Sequence, residues 1–233
     1  MKQALPYIFE KLVWAPLRIL FIFFVRLRIR GAENLANVDG SHGVILASNH
    51  ITWMDPFLVS VAPGLFSPLY PIFYMAMSKE HYRSMPFFRY IIGDIVFSVL
   101  GGISTPLGTG DYDVALKDHV KLLRRGGTLL MFPEGQRTPD GKLHEGKPGI
   151  GYLVEKTGAV IIPIAITGSF GLTPSRFFLR KHRIEVRIGR TFLNHRDRVY
   201  QKTKDDFSKL LSISSLIINE IGLLGDYEGS MDS

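Results

Sequence analysis

Three short, unbroken apolar runs constrain this chain more than any other feature: residues 43–48, 128–132 and 159–167. Each reads as a buried strand, because it is too short for a typical helix and is flanked by glycine, proline or polar turn residues. Between them the pattern turns helical. Asp111 or Asp113 caps a helix carrying Val114, Ala115, Leu116, Val120, Leu122 and Leu123 to a stop at Gly126-Gly127, and residues 150–156 form another. Residues 70–77 and 95–97 are expected as further strands, with a helix over 79–92 that Pro86 kinks or ends halfway, and a Gly/Ser/Pro loop after Phe97. Ile184, Val186 and Ile188 alternate with charged residues, which predicts a half-exposed strand at a sheet edge. A helix over 205–224 closes the chain. Strands and helices that alternate in this way predict an α/β fold with a central, mostly parallel sheet flanked by helices. The expected division is a helical segment over residues 1–28, one domain over 29–224 and a flexible tail over 225–233.

In such sheets, sites form where strands end at their carboxyl side. His50 follows the first buried run, and Asp55 lies five positions on, ahead of Pro56. Pro56 suits the first helical position and Asp55 the N-cap. On one regular helix, residues five apart point about 140° away from each other, so a turn must intervene for them to share a proton. The spacing then fits an imidazole whose second nitrogen is held by a carboxylate, the arrangement of a general base. A half-buried histidine beside a helix cap fits the same residues.

A second polar cluster, Phe132-Pro133-Glu134-Gly135-Gln136-Arg137, follows the second run. Gly135 permits a tight turn, and the guanidinium of Arg137 offers a planar fork suited to a phosphate monoester. Glu134 is placed to hold Arg137 or a backbone amide. Lys79 and Lys147, each near a predicted helix start, either add positive charge to the cleft or are solvated lysines. Two near-motifs fail. Gly141 to Lys147 has the spacing of a nucleotide phosphate loop, but Pro148 stands where the magnesium-binding hydroxyl belongs. Thr167-Gly168-Ser169-Phe170-Gly171 resembles a serine nucleophile elbow, yet Leu172-Thr173-Pro174 follows where a helix should start.

The chain contains no cysteine, so disulfides, zinc-thiolate sites and a Cys nucleophile are excluded. Its histidines show no ligand spacing, so no metal site is predicted. A formal charge of +7 points to an anionic partner, and 46% hydrophobic residues favour lipid over nucleic acid, for which no motif is present. Residues 5–25 are rich in Leu, Ile, Phe and Trp but broken by Glu10, Lys11 and Arg18, and Arg26, Arg28 and Arg30 follow. That pattern predicts an interfacial helix or a half-buried helical hairpin at a membrane, on a peripheral or monotopic protein of the cytoplasmic face; an amphipathic helix packed on the protein's own core is the alternative. Arg176, Arg180, Lys181, His182 and Arg183, interleaved with Phe177, Phe178 and Leu179, suit a membrane-facing or acyl-carrier-facing surface, or a solvated charged face.

Taken together, Asn-His-x-x-Trp-x-Asp at residues 49–55 and Phe-Pro-Glu-Gly-x-Arg at 132–137 resemble the glycerolipid acyltransferase family typified by 1-acylglycerol-3-phosphate acyltransferases. Met77-Ser78-Lys79-Glu80 with Pro86-Phe87-Phe88, and the run over 161–166, extend the resemblance across roughly residues 28–190. It implies that His50 is the general base and Asp55 orients it. It further implies that Arg137 grips the acceptor phosphate, with Glu134 and Gly135 shaping that pocket and Lys79 assisting. The implied reaction moves a fatty acyl group from acyl-CoA or acyl-carrier protein, a co-substrate rather than a cofactor, to a lysophospholipid hydroxyl. Thr52, Gln136 and Thr138 depart from the family pattern in ways that keep the chemistry. Around Ser98, where the family carries an Arg near the end of a Gly-rich strand, this chain has none. That absence leaves glycerol-3-phosphate or another lysolipid as alternative acceptors to lysophosphatidic acid; a non-catalytic lipid-binding protein of the same fold is a separate alternative, against which the intact His50 and Asp55 speak.

Overall fold

The computed structural model describes residues 4–36, 38, 43–77, 101–106, 111–191 and 206–227. Its frame is a seven-stranded sheet: β1 (Arg28–Arg30), β2 (Val44–Ser48), β3 (Ile72–Met77), β4 (Gly102–Thr105), β5 (Thr128–Met131), β6 (Val160–Thr167) and β7 (Glu185–Ile188). The order across the sheet is β1-β7-β6-β2-β5-β3-β4, and every neighbouring pair is parallel except β6 with β7. The helices are α1 (Ala4–Phe24), α2 (Asp55–Ser60), α3 (Tyr112–Ala115), α4 (Lys117–Arg124), α5 (Pro148–Thr157), α6 (Pro174–Phe178) and α7 (Asp206–Gly225). This is the expected α/β fold.

The apolar runs are strands because they are buried on both faces. Val44 and Leu46 of β2 face one core with Leu58, Ile72, Leu130, Ile162 and Phe21, while Ile45 and Ala47 face a second with Leu123, Leu129, Ile150, Ile161 and Ile217. Enclosing a side chain such as Leu58 or Leu129, both without exposed surface, contributes about 1.5–3 kcal/mol over leaving it in water. Helices α1, α2 and α6 cover the first face, and α4, α5 and α7 the second. The chain leaving β2 therefore turns to one face and the chain leaving β5 to the other. Their carboxyl ends, in register at Ala47 and Met131, are where such a divergence opens a crevice.

Several expectations shift. Residues 28–30 form a strand that covers β7, so β7 is interior and, among the described residues, the edges are β1 and β4; β7 does keep the half-exposed alternation, with Val186 and Ile188 buried and Glu185 and Arg187, which pair with each other, partly exposed. Strand β4 falls within what reads as a Gly/Ser/Pro loop, because a four-residue edge strand starting at glycine carries almost no apolar signal. Asp111 is the residue that caps α3, accepting from the Asp113 amide at 2.8 Å. The helix expected over 79–92, the strand over 95–97 and Lys79 itself lie outside the described residues.

The amino-terminal segment is one helix, not a hairpin. Phe21 and Glu10 are buried, the Trp14 indole donates to Pro63 O (2.9 Å) and Arg18 to Val61 O (2.8 Å), so α1 is tied to the end of α2. Its other side leaves Tyr7, Ile8, Leu12, Ile19, Ile22 and Phe23 exposed. Burial pushes the Glu10 carboxyl up to about 8, with the Ile72 amide and Lys11 offsetting part of that. After α7, Arg187 binds Leu224 O (2.9 Å) and the Asp226 carboxylate, and the Tyr227 amide donates to Gly222 O (3.1 Å).

Candidate active site

His50 stands just past the end of β2, and its imidazole Nδ1 lies 2.8 Å from Asp55 Oδ2. The five-residue separation closes because the chain between them is a turn wound around the carboxylate. Asp55 Oδ2 also accepts the amides of Ile51 (2.5 Å) and Thr52 (2.7 Å), and Oδ1 accepts the Thr52 hydroxyl (2.8 Å). Asp55 is therefore not the N-cap, a place held by Met54; it is the first residue of α2, and its side chain turns back to organise the turn instead of capping the helix ahead. It is fully buried. With three other donors already on that carboxylate, the remaining contact requires hydrogen on His50 Nδ1, so in the tautomer this geometry selects the free acceptor is Nε2. The ring is further fixed by stacking on Phe132, centroids 4.0 Å apart and planes 13° from parallel.

The loop after β5 is bound to this turn from the other side. Glu134, only 3% exposed, accepts the His50 amide on Oε1 (2.8 Å) and the His144 amide on Oε2 (3.0 Å), while the Thr138 amide donates to His50 O (2.8 Å). Burial raises the Glu134 carboxyl, and those two amides pull it back. Of the two tasks open to it, Glu134 thus holds a backbone amide rather than Arg137. Gly135 turns at φ 72° in the left-handed region, where a side chain would be strained and would crowd Lys147. Arg137 at the loop tip is exposed and makes no ion pair among the described residues. Lys147 is exposed at the start of α5, its amide bonded to Pro133 O (2.7 Å). Within the rejected elbow, Ser169 is wholly buried, which denies it a nucleophile's access; a short helix does follow, but only after Thr173 has capped it.

Residues 50, 55, 134, 135 and 137 are thus brought together at the carboxyl ends of β2 and β5. Sequence reasoning missed the stacking role of Phe132, the amide of Thr138, and Asn49, whose side chain pairs with Ile166. Phe132 and Asn49 were within quoted motifs, where only the partners of their side chains were hidden.

A family model described as Acyltransferase matches residues 26–167. The chloroplastic 1-acyl-sn-glycerol-3-phosphate acyltransferase LPAT1 of Arabidopsis thaliana is 26% identical over 164 residues, covering 70% of this chain and 41% of that protein. The 1-acyl-sn-glycerol-3-phosphate acyltransferase of Pseudomonas aeruginosa is 29% identical over 145 residues, covering 60% of this chain and 49% of that one. The chain spans about half the length of the curated relatives it matches. Among solved structures, the 1-acyl-sn-glycerophosphate acyltransferase PlsC of Thermotoga maritima shares the fold at a TM-score of 0.59 and 20% identity, over 91% of this chain and 80% of that one. With the family model spanning more than half of its residues and both of the motif-bearing strand ends, the chain belongs to the acyltransferase family.

Proposed function

We propose that this chain is a membrane-associated O-acyltransferase of phospholipid synthesis that moves a fatty acyl group from acyl-CoA or acyl-carrier protein to the free hydroxyl of a lysophospholipid, most simply 1-acylglycerol-3-phosphate. One observation carries the reading: an imidazole held through Nδ1 by a fully buried carboxylate, with Nε2 left over for a substrate hydroxyl. The acceptor O–H hydrogen passes to Nε2 as its oxygen bonds to the thioester carbonyl carbon. The Asp55 carboxylate stabilises the imidazolium so formed. Collapse of the tetrahedral intermediate breaks the C–S bond, and the imidazolium returns the proton to the departing thiolate. Arg137 supplies the grip on the acceptor phosphate, Gly135 opens the turn that presents it, and Lys79 adds positive charge.

The relatives' printed names support the acceptor class, and the surface supports the membrane. The exposed apolar residues of α1 run to Phe23, which packs edge-on to the partly buried Phe24, and Phe24 in turn meets Phe177 and Phe178 of α6; Phe178 and Leu179 are exposed, and Arg180 lies over the Phe23 ring. Helix α6 follows β6 on the side of the sheet where His50 sits, so this apolar, arginine-bordered face adjoins the cleft. A bilayer there would deliver a single-chain lipid sideways to Nε2.

The test is thiol release by purified protein from one acyl-CoA against a panel of acceptors. Release that needs an acceptor, and is lost in His50→Ala, supports the reading; a protein that binds lysolipid and never releases thiol is a lipid-binding member of the family. The missing arginine around Ser98 favours a second reading within the class, in which glycerol-3-phosphate or another lysolipid outranks lysophosphatidic acid.

A further inference from the structure

Beyond the end of β2, sheet pairing is continued by a side chain. Asn49 Oδ1 accepts the Ile166 amide at 2.7 Å, and Asn49 Nδ2 donates to Ile166 O at 2.9 Å, so the carboxamide acts as one more strand residue beside β6. The next residue is His50. Asn49 is 2% exposed, so the second hydrogen on Nδ2 needs a partner, and it finds the Tyr227 hydroxyl at 2.9 Å. That hydroxyl passes its own hydrogen to Ile166 O at 2.8 Å, closing a triangle in which each donor is used.

Tyr227 reaches this point from the far end of the chain. Helix α7 ends at Gly225, the Tyr227 amide turns back to Gly222 O, and Arg187 of β7 holds both Leu224 O and the Asp226 carboxylate. Only a neutral phenol can both accept and donate here. Burial, with the Glu134 and Asp55 carboxylates adding to it, keeps the phenol neutral by pushing it up to about 12.

We propose that Tyr227 is a positioning residue for the base: the carboxyl-terminal turn is a clasp that locks Asn49 onto β6 and so fixes where the His50 turn leaves the sheet. The proposal rests on the acyltransferase reading for its effect on turnover, and on the bonding triangle alone for its effect on the turn. Tyr227→Phe keeps the ring and removes both hydroxyl roles, leaving one Asn49 N–H unpaired in a buried place. In the full chain, amide hydrogen exchange at His50 and Ile166 should quicken about tenfold, while the global unfolding midpoint falls by no more than a few degrees. In the same variant kcat with acyl-CoA and lysophosphatidic acid should fall about tenfold and both KM values should hold within about twofold, as expected of a displaced base with intact binding. Tyr227→Ala, which also removes the ring, should lower the midpoint further. Unchanged exchange at His50 and Ile166 in Tyr227→Phe overturns the clasp, and so does a lowered midpoint with kcat intact, which is what a packing residue would give. If the wild-type protein itself releases no thiol, the acyltransferase reading fails, and the exchange result still decides the clasp.

Discussion

The His50 turn and the tip of the loop after β5 follow the carboxyl ends of neighbouring central strands but are built in opposite ways. Around His50, Asp55 takes four donors, Glu134 takes two, and the ring is stacked on Phe132 and bonded through Nδ1. Arg137, three residues beyond Glu134, is exposed, with no partner among the described residues. A base must be at the correct tautomer and angle before substrate arrives, so its surroundings are satisfied in advance. A cation awaiting a phosphate must stay open, and internal satisfaction there would compete with the ligand. The difference sorts the residues by the kinetic constant each should control.

The largest effects belong to the turn. His50→Ala should lower kcat for acceptor-dependent thiol release by about 10³-fold, and Asp55→Asn by about 10²–10³-fold, because an amide offers a donor where three N–H groups point and frees the ring to turn. Thiol release that survived either change would remove the base from the turn and dissolve the contrast. Glu134→Gln comes next. It keeps one acceptor but aims an NH2 at either the His50 or the His144 amide, a buried conflict of about 1–3 kcal/mol. Turnover should drop about 30-fold and the thermal midpoint by several degrees, with the KM for a phosphate acceptor nearly unmoved. A change in KM alone would place Glu134 with the loop tip instead.

Arg137→Ala should show the mirror image. KM for a phosphate-bearing acceptor should rise about tenfold, a modest figure because the site is open to water and screened by salt, while kcat stays within about twofold. An acceptor without phosphate should not register the substitution. Equal losses on both acceptors would contradict the assignment of Arg137 to the anion.

Much of this was legible in the residues, and the division follows the physics. The central strands announce themselves because burial on both faces demands unbroken apolar runs, and the His-to-Asp spacing is informative because both ends of a tight turn are local. Edge strands such as β1 and β4 need no apolar run, and Arg28, Arg30 and Gly102 hide theirs. That Asp55 serves the preceding turn rather than the following helix is a matter of which backbone amides lie within 3 Å, which residue type cannot convey. Tyr227 carries no signal at all, since its partners Asn49 and Ile166 are set by the fold, 178 and 61 positions away.

Glu10 extends the comparison to a buried carboxyl with too few donors. Where Asp55 has four, Glu10 has the Ile72 amide alone among the described residues, at 3.1 and 3.3 Å from its two oxygens, amid Trp14, Phe57, Tyr70 and Tyr74. Its carboxyl is accordingly raised from 4.5 to about 8, chiefly by burial. The folded protein then keeps a proton that the unfolded chain gives up from about pH 4.5, so the stability tied to that proton is fully present below this pH and is lost as pH rises towards 8. Facing groups supply little countercharge: Lys11 offsets only a minor part of the shift, burial also raises Tyr70 and Tyr74, which keeps both phenols neutral, and Arg18 is engaged with Val61 O. Glu10→Gln retains an acceptor for Ile72 and cannot ionise. Urea unfolding should therefore find the variant close to wild type at pH 5 and more stable at pH 9, with kcat within about twofold throughout, since α1 lies behind α2 rather than at His50. A gap that shrank with rising pH would reverse the sign. It would mean that Glu10, like Asp55, is satisfied as a carboxylate, and the count of donors would no longer separate the acid that organises the site from the one that only tethers α1.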